Sequence, residues 1–293
     1  MDVEPISDVV CELAEGPLWN PRQQCLHWTD IPAGRVWRYD RRTQQTYLFR
    51  QVDAFVGGLA FTQADGLLMF TNKGVLLAAA DGRLSRVLDV PMAADERFND
   101  VTTDPNGRVF AGTLTERRRD GVLYRLEPGR PPVPVLKGLQ TSNGMTFSLD
   151  LRHFFHTDSR PRTITRYEYD AATGEISNAS VFYHGDARDG SPDGITLDAE
   201  GFMWVACYRG GKVVRLDPQG RIEREVALPT KNVSSVMFGG GQLDELYATT
   251  ARADNGGTAE GIAGRVFRVK PGVRGRPEWP ADAGWDGLTV SEC

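Results

Sequence analysis

The chain has 293 residues, 40% of them hydrophobic, with a formal net charge of -5 at pH 7 and a pI near 5.5. Acidic and basic residues are interspersed, which argues against the one-signed field that holds nucleic acid or an anionic membrane, and no apolar run reaches the roughly 18 residues of a spanning helix. The start, Met1-Asp2-Val3-Glu4-Pro5, lacks the basic residues and apolar run of a secretory leader, so the expectation is a soluble cytoplasmic protein.

Residues 6–12 alternate apolar and polar as one short strand. A hairpin unit follows: His27-Trp28-Thr29-Asp30 runs through a turn to Arg38-Tyr39-Asp40. The same pattern returns as Phe154-Phe155-His156-Thr157-Asp158 leading to Tyr167-Glu168-Tyr169-Asp170, and as Met203-Trp204-Val205-Ala206 leading to Arg215-Leu216-Asp217. Asp65-Gly66, Asp81-Gly82, Asn106-Gly107 and Gln219-Gly220 sit where tight connections need a residue tolerant of positive φ. Candidate inserts are residues 114–120, with the charge run Glu116 to Asp120, then 183–191 and 251–261; Arg130-Pro131-Pro132-Val133-Pro134 is a stiff connector. No window sustains a helical stripe beyond about three turns. The four cysteines, Cys11, Cys25, Cys207 and Cys293, lack the close spacing of a zinc or redox pair and are expected as free thiols, with a distant disulfide left open.

Taking Trp28, Met69, Val109, Phe154, Met203 and Leu246 as anchors, the intervals are 41, 40, 45, 49 and 43 residues. That is the period of a four-stranded blade, and six blades predict an all-β, six-bladed β-propeller of four-stranded antiparallel sheets, one domain over residues 1–293. A closed ring needs fastening; residues 6–12 are expected to add an outer strand to the last blade, next to residues 288–290.

The rare polar signals fall at one phase of this repeat. Glu15 lies 13 residues before Trp28, Asn99 lies 10 before Val109, Asn143 lies 11 before Phe154, and Asp193 lies 10 before Met203. Equivalent positions of successive blades are related by rotation about the axis, so these residues are expected at one mouth of the channel. Glu15, Asn143 and Asp193 are each followed by Gly, which lets backbone approach closely. Two carboxylates and an amide oxygen suit a hard or borderline divalent cation; the alternative is a buried polar plug that must neutralise two nearby carboxylates.

With these motifs in order, the chain resembles the SMP-30/gluconolactonase/regucalcin family of six-bladed propellers, which includes metal-dependent sugar lactonases. The resemblance runs over about residues 11 to 270 and rests on Glu15-Gly16-Pro17, Trp28-Thr29-Asp30-Ile31, Arg97-Phe98-Asn99-Asp100, Ser142-Asn143-Gly144 and Pro192-Asp193-Gly194 continuing into Asp198-Ala199-Glu200-Gly201. It implies that Glu15, Asn143 and Asp193 ligate the metal and that Arg97 and Asn99 face the substrate. It also implies an acidic residue after Ala111-Gly112-Thr113, for which Glu116 is the candidate; Arg117 beside it either favours a carboxylated or phosphorylated lactone or points outward.

The expected chemistry is hydrolysis of a sugar lactone to the aldonic acid with one divalent cation, Ca²⁺, Mg²⁺, Mn²⁺, Zn²⁺ or Fe²⁺, and with Asp193 taking the proton from water. The rivals are a metal-binding propeller without turnover and hydrolysis of another ester or an organophosphate at the same centre. No Gly-x-Ser-x-Gly elbow, His-Glu-x-x-His helix or phosphate loop competes. The expected partner is a small-molecule sugar lactone, and the expected state is a monomer or weak homodimer. His27, His153 and His156 read as packing or surface residues, whereas His184, Asp186 and Asp189 lie in the insert before Asp193.

Overall fold

Short runs of β-branched and aromatic residues, broken by turns, fold the chain into six antiparallel sheets arranged as the blades of a propeller, in a computed structural model describing residues 2–115, 117–252 and 261–292. Innermost strands are Ala14–Asn20, Val56–Phe61, Glu96–Thr103, Ser142–Phe147, Ser191–Leu197 and Val233–Gly239 for blades one to six. Among the described residues the only helical pieces are two 3-10 turns, Ala187–Asp189 and Ala283–Gly287, and no helix is long and apolar enough to cross a membrane.

The core is divided as the repeat demands. Six apolar clusters each fill the space between two adjacent blades, such as Phe110, Phe147, Phe154 and Tyr169 between blades three and four, and Trp204, Val236, Phe238 and Leu246 between five and six. A blade exposes two faces and buries both only when it has neighbours on each side, so the ring must close. It closes as anticipated in kind: the N-terminal strand Val3–Pro5 pairs antiparallel with Phe267–Val269 as the outermost strand of blade six. The strand lies earlier than residues 6–12, which run on beside it through Ile6 N–H to Val266 O and Cys11 N–H to Gly264 O.

The C-terminal segment departs from expectation. Instead of lying beside the N-terminal strand, it straps the face of the ring where the innermost strands end. Ala199 N–H donates to Arg274 O, Gly275 N–H to Leu243 O, Arg276 Nη2 to Thr146 Oγ1, Asp282 N–H to Gly107 O and Val290 N–H to Arg86 O. Ser291–Glu292 then becomes a fifth strand on blade two. Pro and Gly interrupt this stretch, and its bonds are scattered over five blades, so it carries no periodicity to read.

Cys11, Cys25 and Cys207 are buried free thiols, and Cys293 lies outside the described residues. His27 packs edge-on between Phe49 of blade one and Phe61 of blade two, and burial, aided by the Arg38 charge, lowers its pKa to about 3. A base held neutral in the fold but titrating near 6.5 when unfolded gives stability that is whole above pH 6.5 and is lost as pH falls toward 3. A His27→Phe variant lacks this penalty. Its unfolding free energy relative to the parent is expected to improve by about 1.4 kcal/mol per pH unit below 6.5, read from urea midpoints at pH 7.5, 6 and 5; a constant difference across that series would refute the assignment.

Candidate active site

Each innermost strand slips register with its neighbour near its start. The slips fall between Glu15 and Leu18, Val56 and Gly58, Phe98 and Val101, Asn143 and Met145, Pro192 and Ile195, and Val233 and Ser235. A bulge bends its strand and re-aims side chains that would otherwise alternate between blade faces. This is what turns the common phase of the repeat into a common destination. Unpaired or flanking residues at four of the six bulges are Glu15, Asn99, Asn143 and Asp193.

These four side chains are buried. Arg97 Nη1 donates to Asn99 Oδ1 at 2.6 Å and to Phe98 O at 3.0 Å; Asn99 Nδ2 donates to Ser142 O and to Asn143 Oδ1, both at 2.8 Å. Asn143 Nδ2 donates to Ser159 Oγ at 2.9 Å. Glu15 Oε2 accepts its neighbour's amide, Gly16 N–H, at 3.1 Å. Asp193 Oδ1 is fully enclosed and has no hydrogen-bond partner.

A third carboxyl joins them. Asp100, whose Oδ1 accepts Val101 N–H at 2.7 Å, is half-buried and lines the channel. Burial raises it to about 6. Burial, then the charge of Asp100, raises Glu15 to about 8 against the opposing pull of Gly16 N–H and Arg97. Burial, then Glu15 and Asp100, pushes Asp193 well above the usual carboxylate range, with Arg97 and the Asn143 amide opposing. Blades one, three and five thus place three mutually repelling carboxyls around one guanidinium.

Asp100 closes the Arg97-Phe98-Asn99-Asp100 motif, which by itself gives it no role. The signal was present: at the position after the polar residue, blades one, four and five have Gly16, Gly144 and Gly194, and blade three alone among these has a side chain, Asp100. His156 is more than a packing residue, since its Nε2 lies 2.8 Å from Ser142 Oγ, directly before Asn143. His184 is exposed and meets Thr163 Oγ1 at 3.3 Å; Asp186 caps the 3-10 turn before Asp193 and Asp189 pairs with Lys212 at 2.8 Å, so these two acids serve the loop. Glu116 lies outside the described residues. Arg117 is exposed, and Arg118 sits 3.4 Å from Asp120 and 3.6 Å from Asp95.

A cavity of about 200 Å³ runs from Asp100 and Gly16 past Met145 and Ile195 to Arg22, Asp65 and Trp279 on the strapped face. Glu15, Asn143 and Asp193 do not line it. They sit toward the other end of the channel, at the starts of the innermost strands.

Among the described residues, no three His, Cys, Asp or Glu side chains draw together closely enough to hold a metal by themselves. The candidate set is two carboxylates completed by an amide oxygen. Its chemistry fits a divalent cation: the carboxyls repel, a single guanidinium opposes them, and one buried oxygen lacks any donor.

A family model described as the SMP-30/gluconolactonase/LRE-like region matches residues 13–252. Pentonolactonase XacC of Haloferax volcanii is 38% identical over 292 residues, covering 96% of this chain and 99% of that protein. Regucalcin of Homo sapiens is 36% identical over 283 residues, covering 90% of this chain and 93% of its own length. Among solved structures, a luciferin-regenerating enzyme superposes with a TM-score of 0.89 at 27% identity, covering 96% of this chain and 99% of that one.

Proposed function

The chain belongs to the SMP-30/gluconolactonase/LRE-like family, and from that premise we propose that it is a hydrolase that opens a sugar lactone with one divalent cation held by Glu15, Asn143 and Asp193. The observation that carries this reading is the enclosed, donorless Asp193 Oδ1 beside the buried Glu15 and half-buried Asp100 carboxyls. A plug built for stability would pair that oxygen, because a buried acceptor left unmade costs about 1–3 kcal/mol.

When bound, such a cation supplies Lewis acidity toward an ester carbonyl oxygen. The chain's own residues do the rest. Asp193, through the carboxylate oxygen not committed to the cation, takes a proton from the attacking water, whose oxygen bonds to the carbonyl carbon; the ring C–O bond then breaks and the proton passes to the departing alkoxide oxygen. The new carboxylic acid ionises, so each turnover releases one proton. Arg97, braced by Asn99, holds sugar hydroxyls near the mouth and contributes orientation. The nearby pentonolactonase relative supports a five-carbon aldonolactone as the first substrate to try.

The test is a panel of five- and six-carbon aldonolactones assayed with a pH indicator against Ca²⁺, Mg²⁺, Mn²⁺, Zn²⁺ and Fe²⁺, spontaneous opening subtracted. At least one lactone is expected to acidify only when a metal is added, and chelator is expected to stop it. Tight metal binding with background rates on every lactone would establish the non-catalytic reading instead.

A further inference from the structure

The hydrogen bonds around Asn143 run in one direction. A guanidinium only donates, so Arg97 obliges Asn99 to turn its oxygen, Oδ1, toward it. The amide nitrogen of Asn99 then faces the other way, where the Ser142 carbonyl, which only accepts, takes one of its protons at 2.8 Å. Both neighbours of Asn99 therefore demand the same orientation. Its second N–H goes to Asn143 at 2.8 Å, which must answer with Oδ1. The Asn143 nitrogen is left pointing away, and Ser159 Oγ receives it at 2.9 Å.

Ser159 is placed for this by the backbone. It sits in the turn between Ser142's blade partners His153–Asp158 and Thr163–Asp170, its N–H donates to Thr141 O at 3.0 Å, and its carbonyl accepts Arg162 N–H at 3.1 Å. The residue is buried. Its hydroxyl is thus fixed relative to the start of the strand that carries Asn143.

We propose that Ser159 is a positioning residue: by receiving one Asn143 Nδ2 proton at the end of the Arg97–Asn99–Asn143 relay, it keeps the Asn143 oxygen presented to the cation. The inference rests on the metal-dependent reading above and concerns a residue that does not touch the cation. Remove the hydroxyl and the amide nitrogen is buried without that acceptor. The amide already meets the Asp193 carboxylate on the same side, and without Ser159 to hold its other N–H that pull goes unopposed, so the amide swings and its oxygen leaves the position set by Asn99.

The test reads metal affinity and not turnover. Free Mn²⁺ is titrated into the full chain and followed by electron paramagnetic resonance, for the parent, Ser159→Ala, Asn143→Asp and the double variant. Ser159→Ala is expected to raise the Mn²⁺ Kd about tenfold, the lower end for residues that orient ligands. In the Asn143→Asp background the two oxygens are equivalent and no amide can turn the wrong way, so the same change is expected to cost less than about threefold. A Kd unchanged by Ser159→Ala, or an equal loss in both backgrounds, overturns the inference while the metal reading stands. A parent that fails to bind Mn²⁺ overturns the metal reading and this inference with it.

Discussion

Asp193→Ala is expected to lower kcat/KM for the responsive lactone by about 10³-fold or more, because the change removes a ligand oxygen and the proton acceptor together. The same change is expected to leave the chain at least as stable when metal is withheld by chelator. Asp193 Oδ1 makes no hydrogen bond, and its carboxyl is driven up by burial first and then by Glu15 and Asp100; deleting one of three crowded carboxyls relieves repulsion felt by the other two. Function and stability therefore pull in opposite directions at this position, a trade-off expected of sites built for chemistry. Two measurements decide it: initial rates at saturating metal, and thermal unfolding in chelator. A variant that unfolds many degrees earlier in chelator would mean that Asp193 is structural, and a rate within tenfold of the parent would remove it from the mechanism.

Much of the route to that residue could be followed in the sequence. A spacing of 40 to 49 residues between anchors makes the six blades legible, and the common phase of Glu15, Asn99, Asn143 and Asp193 makes their convergence on one mouth legible too. What phase alone cannot supply is the re-aiming. The bulges are changes of pairing between two strands, and their signal is distributed over both. Several tight turns were equally hidden: Gln24, Gln44, Leu151 and Arg162 adopt positive φ without being Gly, Asn or Asp, because the flanking ladders dictate the turn. At Asp65-Gly66 the positive φ falls on Asp65 and not on the glycine. Asp100 escaped for another reason. Its neighbours in the repeat are glycines, and a side chain where the others have none stands out only once the blades are laid over one another.

Glycine after the polar residue predicts close approach of backbone to the axis; at Gly144 the close neighbour is instead the innermost strand of blade five. A Cβ on Gly144 would lie 2.5 Å from Asp193 O, 2.5 Å from Ile195 N and 2.9 Å from Gly194 C, all backbone of blade five. None can swing aside as a side chain would. The innermost strands of blades four and five must part by a substantial fraction of an ångström, and overpacking of this kind costs about 1–3 kcal/mol or more. The strain falls on the residues between Asn143 and Asp193, so the two ligands separate along with the blades. Gly144→Ala is expected to lower the melting temperature by several degrees, as about 2 kcal/mol would in a chain of this size, and to lower kcat/KM by about 10²-fold, the loss that follows a 1 Å misplacement of reacting groups. Gly287→Ala is the matched control: nothing lies within 4 Å of its added Cβ and its backbone does not need positive φ, so both quantities should hold. Melting curves and initial rates on the three proteins read both effects. If Gly144→Ala matched the parent in both, close approach of the two blades would not be what holds Asn143 and Asp193 in one site.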